Sequence, residues 1–287
     1  MQTKKIRING LKHQFYFWGN PKKPKLFLFH GWLDGAASFE FICKYLSKHF
    51  YCIAPDLRGY GKSEHAKSPL GYFFYEYLAD LNEIFDHFSP KKPVKVLGHS
   101  FGGAISSFYA GVFPERISHF VNVEGFAFKD NPPNRGPEKA KAWMEGLKKQ
   151  RFNTFKNLHQ FAERLVKNNP RLDLEKALFI SKYLSKKTKG GVTVSADPLH
   201  KLTEPYVFTK ELFYPFWEAI QAKCLLISAE LTEMNAWMKS PDLKKEIQER
   251  LEHFPKDSQQ VEMKACGHMI HHEKPAELAK HTIDFLL

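Results

Sequence analysis

The stretch Val96-Leu97-Gly98-His99-Ser100-Phe101-Gly102-Gly103 restricts this chain more than any other. It carries the pattern G-x-S-x-G, with an apolar run (Pro93 to Leu97) before it and a helical pattern (Ala104 to Phe113) after it. Strand, sharp turn and helix in that order make an elbow that lifts a serine hydroxyl above a sheet edge. The turn calls for a strained backbone at Ser100. Gly98 and Gly102 stand where strand and helix pass too closely for a Cβ. Free N–H groups and the helix dipole at the start of the helix favour a developing negative charge. Ser100 is therefore a candidate nucleophile. A glycine-rich loop is the other reading of a bare G-x-S-x-G, and the strand, the helix and the second glycine argue against it.

An elbow strand needs buried neighbours, and the chain on either side supplies them. Lys5–Ile8 and Leu11–Trp18 read as strands, and Asn9-Gly10 between them predicts a type I′ hairpin. Lys25–Phe29 reads as a buried strand ending in His30-Gly31-Trp32, Phe39–Ser47 as a helix and Tyr51–Ala54 as the next strand. Pro55 to Ser63 is a glycine-punctuated loop, and a helix from about Tyr72 to Phe88 leads into the elbow. Ile117–Val123 is a further strand, ending at Glu124-Gly125. Strands alternating with helices predict an α/β fold with a mostly parallel sheet flanked by helices.

Residues 126–217 differ in character. Apolar residues recur at helical spacing, clear strand runs are missing, and over half of the net positive charge falls here. Trp143, Leu147, Phe155, Phe161, Leu165, Leu178, Ile180 and Tyr183 are expected on the buried faces of short helices. The segment reads as a helical cap inserted between two parts of one core, residues 1–125 and 218–287. In the second part Cys224–Ser228 is a strand, Ser240–Phe254 a helix and Gln259–Lys264 a strand, followed by Cys266-Gly267-His268 and a closing helix, Pro275–Leu286.

Composition narrows the function. The 287 residues suffice for one large domain with an insertion. The net charge of +12 admits nucleic acid or an anionic surface as partners. No basic run interleaved with aromatics appears, so solvated lysine faces are expected and no nucleic acid partner. Four scattered cysteines (Cys43, Cys52, Cys224 and Cys266) lack metal-ligand spacing. The charged start of the chain lacks the apolar core of a signal peptide, and no run is long enough for a membrane span, so a cytoplasmic location is expected.

Four pieces in order resemble the α/β-hydrolase fold family along nearly the whole chain. They are His30-Gly31-Trp32, the stretch Asp56-Leu57-Arg58-Gly59-Tyr60-Gly61-Lys62-Ser63, the elbow, and Gly267-His268. The longer stretches His30 to Phe39 and Gly267 to His272 are similar to its serine-hydrolase-like subgroup. The resemblance implies a catalytic triad with His268 as base to Ser100. It also implies an oxyanion hole from the backbone N–H groups of Trp32 and Phe101, and no cofactor or metal. His99 would face away from Ser100, and His30, Asp34 and Asp56 would brace loops. His271 and His272 would pack at the start of the closing helix, and no third metal ligand of fitting spacing stands beside them.

The acid departs from the commonest family pattern. Where a carboxylate usually follows Leu225-Leu226-Ile227 the chain has Thr232, which cannot stabilise an imidazolium as a carboxylate does. Glu233 is one residue late and Glu230 two early, while Glu124 closes the strand Ile117–Val123. Certain haloalkane dehalogenases place the acid there, and Ile117 to Phe126 resembles their stretch. A carboxylate ending an apolar strand is costly to bury without a partner, and His268 would be one. Glu124 is the favoured acid and Glu233 the alternative.

Serine instead of aspartate at the elbow argues against dehalogenase and epoxide-hydrolase chemistry, which needs an alkyl-enzyme ester. The expectation is a carboxylesterase- or lipase-like serine hydrolase working through an acyl-enzyme on a small-molecule acyl substrate. Thioesterase, C–C hydrolase or perhydrolase chemistry would use the same residues. A binding or signalling protein on a hydrolase scaffold is the reading that Thr232 encourages.

Overall fold

The structure is a computed structural model, described for residues 1–126 and 128–287. In chain order its strands are β1 (Gln2–Ile8), β2 (Leu11–Trp18), β3 (Lys25–Phe29), β4 (Tyr51–Pro55), β5 (Val94–His99), β6 (Ile117–Val123), β7 (Thr154–Phe155), β8 (Ser185–Thr188), β9 (Gly191–Val194), β10 (Lys223–Ala229) and β11 (Gln259–Met263). The helices are α1 (Glu40–Leu46), α2 (Phe74–Phe88), α3 (Phe101–Val112), α4 (Gly136–Gly146), α5 (Leu158–Asn168), α6 (Leu174–Leu184), α7 (Lys210–Glu218), α8 (Asn235–Met238), α9 (Leu243–Leu251), α10 (Ile270–Glu273) and α11 (Pro275–Leu286).

Eight strands form one sheet in the order β1-β2-β4-β3-β5-β6-β10-β11. β2 pairs antiparallel with β1 and β4, and every other pairing is parallel. The hairpin turns at Asn9 (φ 42°) and Gly10 (φ 80°), the left-handed pair a type I′ turn needs. Central strands bury both faces, because successive side chains alternate. On β3, Phe27 and Phe29 join one core while Leu26 and Leu28 join the other, and on β5 Val96 and Leu97 divide in the same way. The first core packs against α2, α3 and α7, the second against α1, α10 and α11.

From β3 the chain runs to β4 on one side and then crosses to β5 on the other. Ligands gather at the carboxyl ends of strands where the winding reverses in this way. Those ends carry His30-Gly31-Trp32 and Ser100.

The segment between β6 and β10 holds α4 to α7, but it is not purely helical. β7, β9 and β8 form a small antiparallel sheet, where no strand was expected. Ser185-Lys186-Lys187-Thr188 has no apolar alternation to announce it, and Gly190-Gly191 turns the hairpin with positive φ. Phe161, Leu172, Ala177 and Ile180 form this segment's own core with Phe41 of α1. Leu178, expected inside, is exposed. All four cysteines are buried and free. Among the described residues no helix is long and apolar enough to cross a membrane.

Candidate active site

The elbow forms where the sequence put it. β5 ends at His99, α3 begins at Phe101, and Ser100 between them has φ 50° and ψ −117°, a conformation few side chains adopt. Its N–H donates to the Val123 carbonyl at 2.8 Å, and its own carbonyl accepts from Ala104 at 2.9 Å. A Cβ on Gly102 would stand 2.0 Å from the Phe29 carbonyl oxygen. The glycine is thus required by the close passage of α3 over β3.

Three side chains meet above this turn. His268, delivered by the loop after β11, sets Nε2 2.8 Å from Ser100 Oγ and Nδ1 3.0 Å from Glu124 Oε2. Glu124 closes β6 with φ 57° and is 1% exposed. A carboxylate buried so deeply needs donors. It has the Ala229 N–H on Oε1 at 2.8 Å, and on Oε2 the Thr232 hydroxyl together with His268. Thr232 stands where the commonest pattern has an acid, and here its hydroxyl steers the acid of the neighbouring strand.

Glu233 has another task. Its Oε2 accepts the backbone N–H of His268 at 2.8 Å, and Arg171 bonds its other oxygen. Arg171 also reaches Glu273 at 2.7 Å, and Glu273 accepts the Gly267 N–H at 2.8 Å. Burial raises the Glu233 carboxyl, but the His268 N–H and Arg171 outweigh it and hold the group below its usual range. Sequence spacing gave no sign of this brace, because Arg171 comes from the inserted segment.

The remaining histidines take bracing positions. His30 Nε2 accepts the Leu57 N–H at 3.0 Å while Nδ1 donates to the Gly31 carbonyl at 2.8 Å. His99 donates from Nε2 to the His268 carbonyl at 2.8 Å and does not face Ser100; burial holds its pKa well below the ordinary value. Asp56 accepts from Ala36 and Lys62 N–H groups, each at 2.8 Å, tying together the loops after β3 and β4. Burial lifts its carboxyl to about 6 against those bonds.

One expectation is corrected. His271 and His272 do have a third potential ligand nearby, since the fold brings Asp34 within 4.8 Å of both. Asp34 Oδ2 accepts from His271 Nε2 at 3.1 Å and from Ser38 Oγ at 2.8 Å. Burial pushes its carboxyl up, but the His271 bond and the neighbouring His272 and His30 outweigh it and hold the group low. Neighbours in sequence could not reveal a partner from the far side of the chain.

Beside the triple lies a cavity of about 370 Å³ lined by Trp32, Phe101, Ala104, Phe128 and Trp237, with Ser100 and His268 on its floor. Trp237 meets the His268 ring edge-on with centroids 5.1 Å apart. Trp32 is 54% exposed, and its indole N–H donates to the His200 carbonyl at 3.0 Å. Phe101, as the first residue of α3, has an N–H with no intrahelical acceptor. A larger cleft between β10, β11 and α9, about 740 Å³, holds no comparable pairing of hydroxyl and imidazole.

Comparison with known proteins agrees with this fold. A family model described as the alpha/beta hydrolase fold matches residues 24–275. Serine hydrolase-like protein 2 of Homo sapiens is 26% identical over 220 residues, covering 74% of this chain and 70% of that protein. The serine hydrolase-like protein of Mus musculus is 25% identical over 223 residues, covering 74% and 71%. Among solved structures, a thioesterase domain from the curacin biosynthetic pathway matches with a TM-score of 0.86 at 21% identity over 99% of each chain. At that identity the likeness is one of fold.

Proposed function

Because the chain belongs to the alpha/beta hydrolase fold family, we propose that it is a serine hydrolase that cleaves small-molecule esters through an acyl-enzyme on Ser100. The observation that carries this reading is the relay of contacts from Ser100 Oγ through His268 to Glu124, at 2.8 and 3.0 Å. A neutral hydroxyl is a poor nucleophile, and a base within hydrogen-bond reach activates it. His268 Nε2 takes the proton as Ser100 attacks the carbonyl carbon. Glu124 holds the imidazole in the required tautomer and stabilises the imidazolium. The tetrahedral oxyanion falls beside the N–H groups of Trp32 and Phe101, two of the residues that wall the cavity with Ser100. His268 then gives its proton to the departing alcohol, and water repeats the sequence to release the acid.

The segment between β6 and β10 acts in this reading as a cap over the cavity. Support comes from Phe128 in the cavity wall and from the bond between Trp32 and His200. The test is hydrolysis of p-nitrophenyl esters of increasing acyl length by the wild-type protein and by Ser100→Ala. Turnover that disappears in the variant is expected, and wild-type turnover no faster than the variant across the series refutes the reading.

A further inference from the structure

Next to the reactive cavity lies a second chamber of about 220 Å³, and the two share Trp32, Phe101 and Phe128 as walls. Its other walls include Tyr72, Phe74 and Phe208, and one carboxyl group, that of Glu204, enters among them. We propose that this chamber receives a flat aromatic arm of the substrate ending in a hydroxyl group, and that Glu204 selects that hydroxyl. The proposal rests on the esterase reading and specifies the substrate class for it.

The walls define a shape for rings. Phe74 meets Phe128 and Phe208 edge-on at 5.6 and 5.4 Å, and Phe128 and Phe208 lie 5.4 Å apart, so each ring holds its neighbours in place. Roughly 150 Å³ of apolar space is enough to take up benzene, and the chamber exceeds that. A bent aliphatic chain would leave such flat walls incompletely covered, whereas a ring offers them its own faces and edges.

Glu204 is the acidic group in a lining of aromatic rings, two leucines and His200. The Phe74 N–H donates to its Oε1 at 3.0 Å and also lies 3.3 Å from the Tyr206 hydroxyl oxygen, and that hydroxyl bonds the carboxyl in turn. Burial lifts the carboxyl to about 7 despite those bonds and despite Lys139 of α4. Phe74 and Tyr206 hold the carboxyl in place, and because it still lines the chamber a ligand there can bond it as well. A neutral hydroxyl can pair with either its protonated or its ionised form. An ammonium group would pair only with the ionised form and would meet the field of Lys139, which is felt at Glu204. The neutral donor is therefore the better occupant. A site built to bond a substrate hydroxyl discriminates strongly against the analogue without it, because its own polar group is then left unpaired.

The experiment has two arms. In the first, 4-propylphenol and propylbenzene are titrated into the Ser100→Ala protein and Trp32, a wall of both cavities, reports through tryptophan fluorescence. The phenol is expected to bind about tenfold more tightly, and the preference is expected to vanish in the Ser100→Ala/Glu204→Leu protein. The Ser100→Ala/Glu204→Gln protein retains part of it and covers the case in which leucine prevents folding. In the second arm, kcat/KM is compared for methyl 3-(4-hydroxyphenyl)propanoate and methyl 3-phenylpropanoate within each protein that carries Ser100, so that any general loss of activity cancels in the ratio. Equal binding of phenol and propylbenzene, tighter binding of phenethylammonium than of the phenol, or a preference that survives Glu204→Leu overturns the proposal. Binding with the expected preference but no hydrolysis of any ester overturns the esterase reading and leaves the hydroxyl-selecting chamber standing.

Discussion

Replacing Glu124 by glutamine tests how the candidate triad works. Gln has the shape of Glu, but one of its two terminal groups can only donate. The Ala229 N–H at 2.8 Å requires an acceptor at the first position. The amide nitrogen then faces Thr232 and His268. The Thr232 hydroxyl can rotate and accept, but His268 Nδ1 can accommodate a donor only by giving up its own proton. The proton moves to Nε2, which faces Ser100 at 2.8 Å and can no longer remove a proton from it. At 1% exposure the side chain has little freedom to turn toward solvent and escape the conflict. Loss of the correct tautomer in a comparable triad lowers kcat by about 10⁴, near 5.5 kcal/mol of barrier. Glu233→Gln should cost less than about tenfold, because an amide oxygen can still accept the His268 N–H. The assay is kcat/KM on the best p-nitrophenyl ester, with circular dichroism to verify folding. A Glu124→Gln protein within tenfold of wild type, alongside a Glu233→Gln protein down by a thousandfold, would sink the assignment.

Other perturbations follow from the same geometry. Thr232→Val keeps the volume but removes a donor to Glu124, and should lower kcat about tenfold with little change in KM; an unchanged kcat would mean the hydroxyl does not orient the acid. Gly102→Ala puts a Cβ 2.0 Å from the Phe29 carbonyl oxygen, and should cost about 3 kcal/mol or more in urea unfolding; a loss under 1 kcal/mol would contradict the close approach of α3 to β3. Glu204 has a folded pKa raised from 4.5 to about 7. Its stabilising contribution is therefore complete below pH 4.5 and is lost as pH rises through 7. Wild type should lose stability relative to Glu204→Gln between about pH 4.5 and 7 and stay level above that, by at most about 2–3 kcal/mol. A difference that stays flat with pH in denaturant titrations refutes it.

What was legible in the sequence was local. The hairpin at Asn9-Gly10, the elbow and the closing helix 275–286 all carry their instructions within a few residues, as turn chemistry, close-approach glycines or helical spacing. Ser100 and His268 could be picked out as candidates because one follows a strand end at the elbow and the other a Gly-His turn, and the fold brings them together. Glu124 and Glu233 stayed rivals because both lie near that edge, and only the paths of β6 and β10 bring Glu124 to the imidazole and Glu233 to the backbone N–H. Thr232 read as a missing acid, since a sequence does not show that its hydroxyl crosses to the next strand. Asp34 with His271, and Arg171 with Glu233, are contacts between distant segments with no periodicity to betray them. The small sheet of β7, β9 and β8 is made of strands too short and too polar to stand out.

Ser100 and Glu124 follow the ends of the neighbouring strands β5 and β6, before the inserted segment, whereas His268 comes after it. On a chain emerging from the ribosome, the candidate nucleophile and acid are made long before the candidate base has been synthesised. The imidazole arrives only after β10 and β11 have joined the sheet. On the proposed reading the candidate serine lacks its proton acceptor until then, and an unfinished molecule would leave the esters around it uncut.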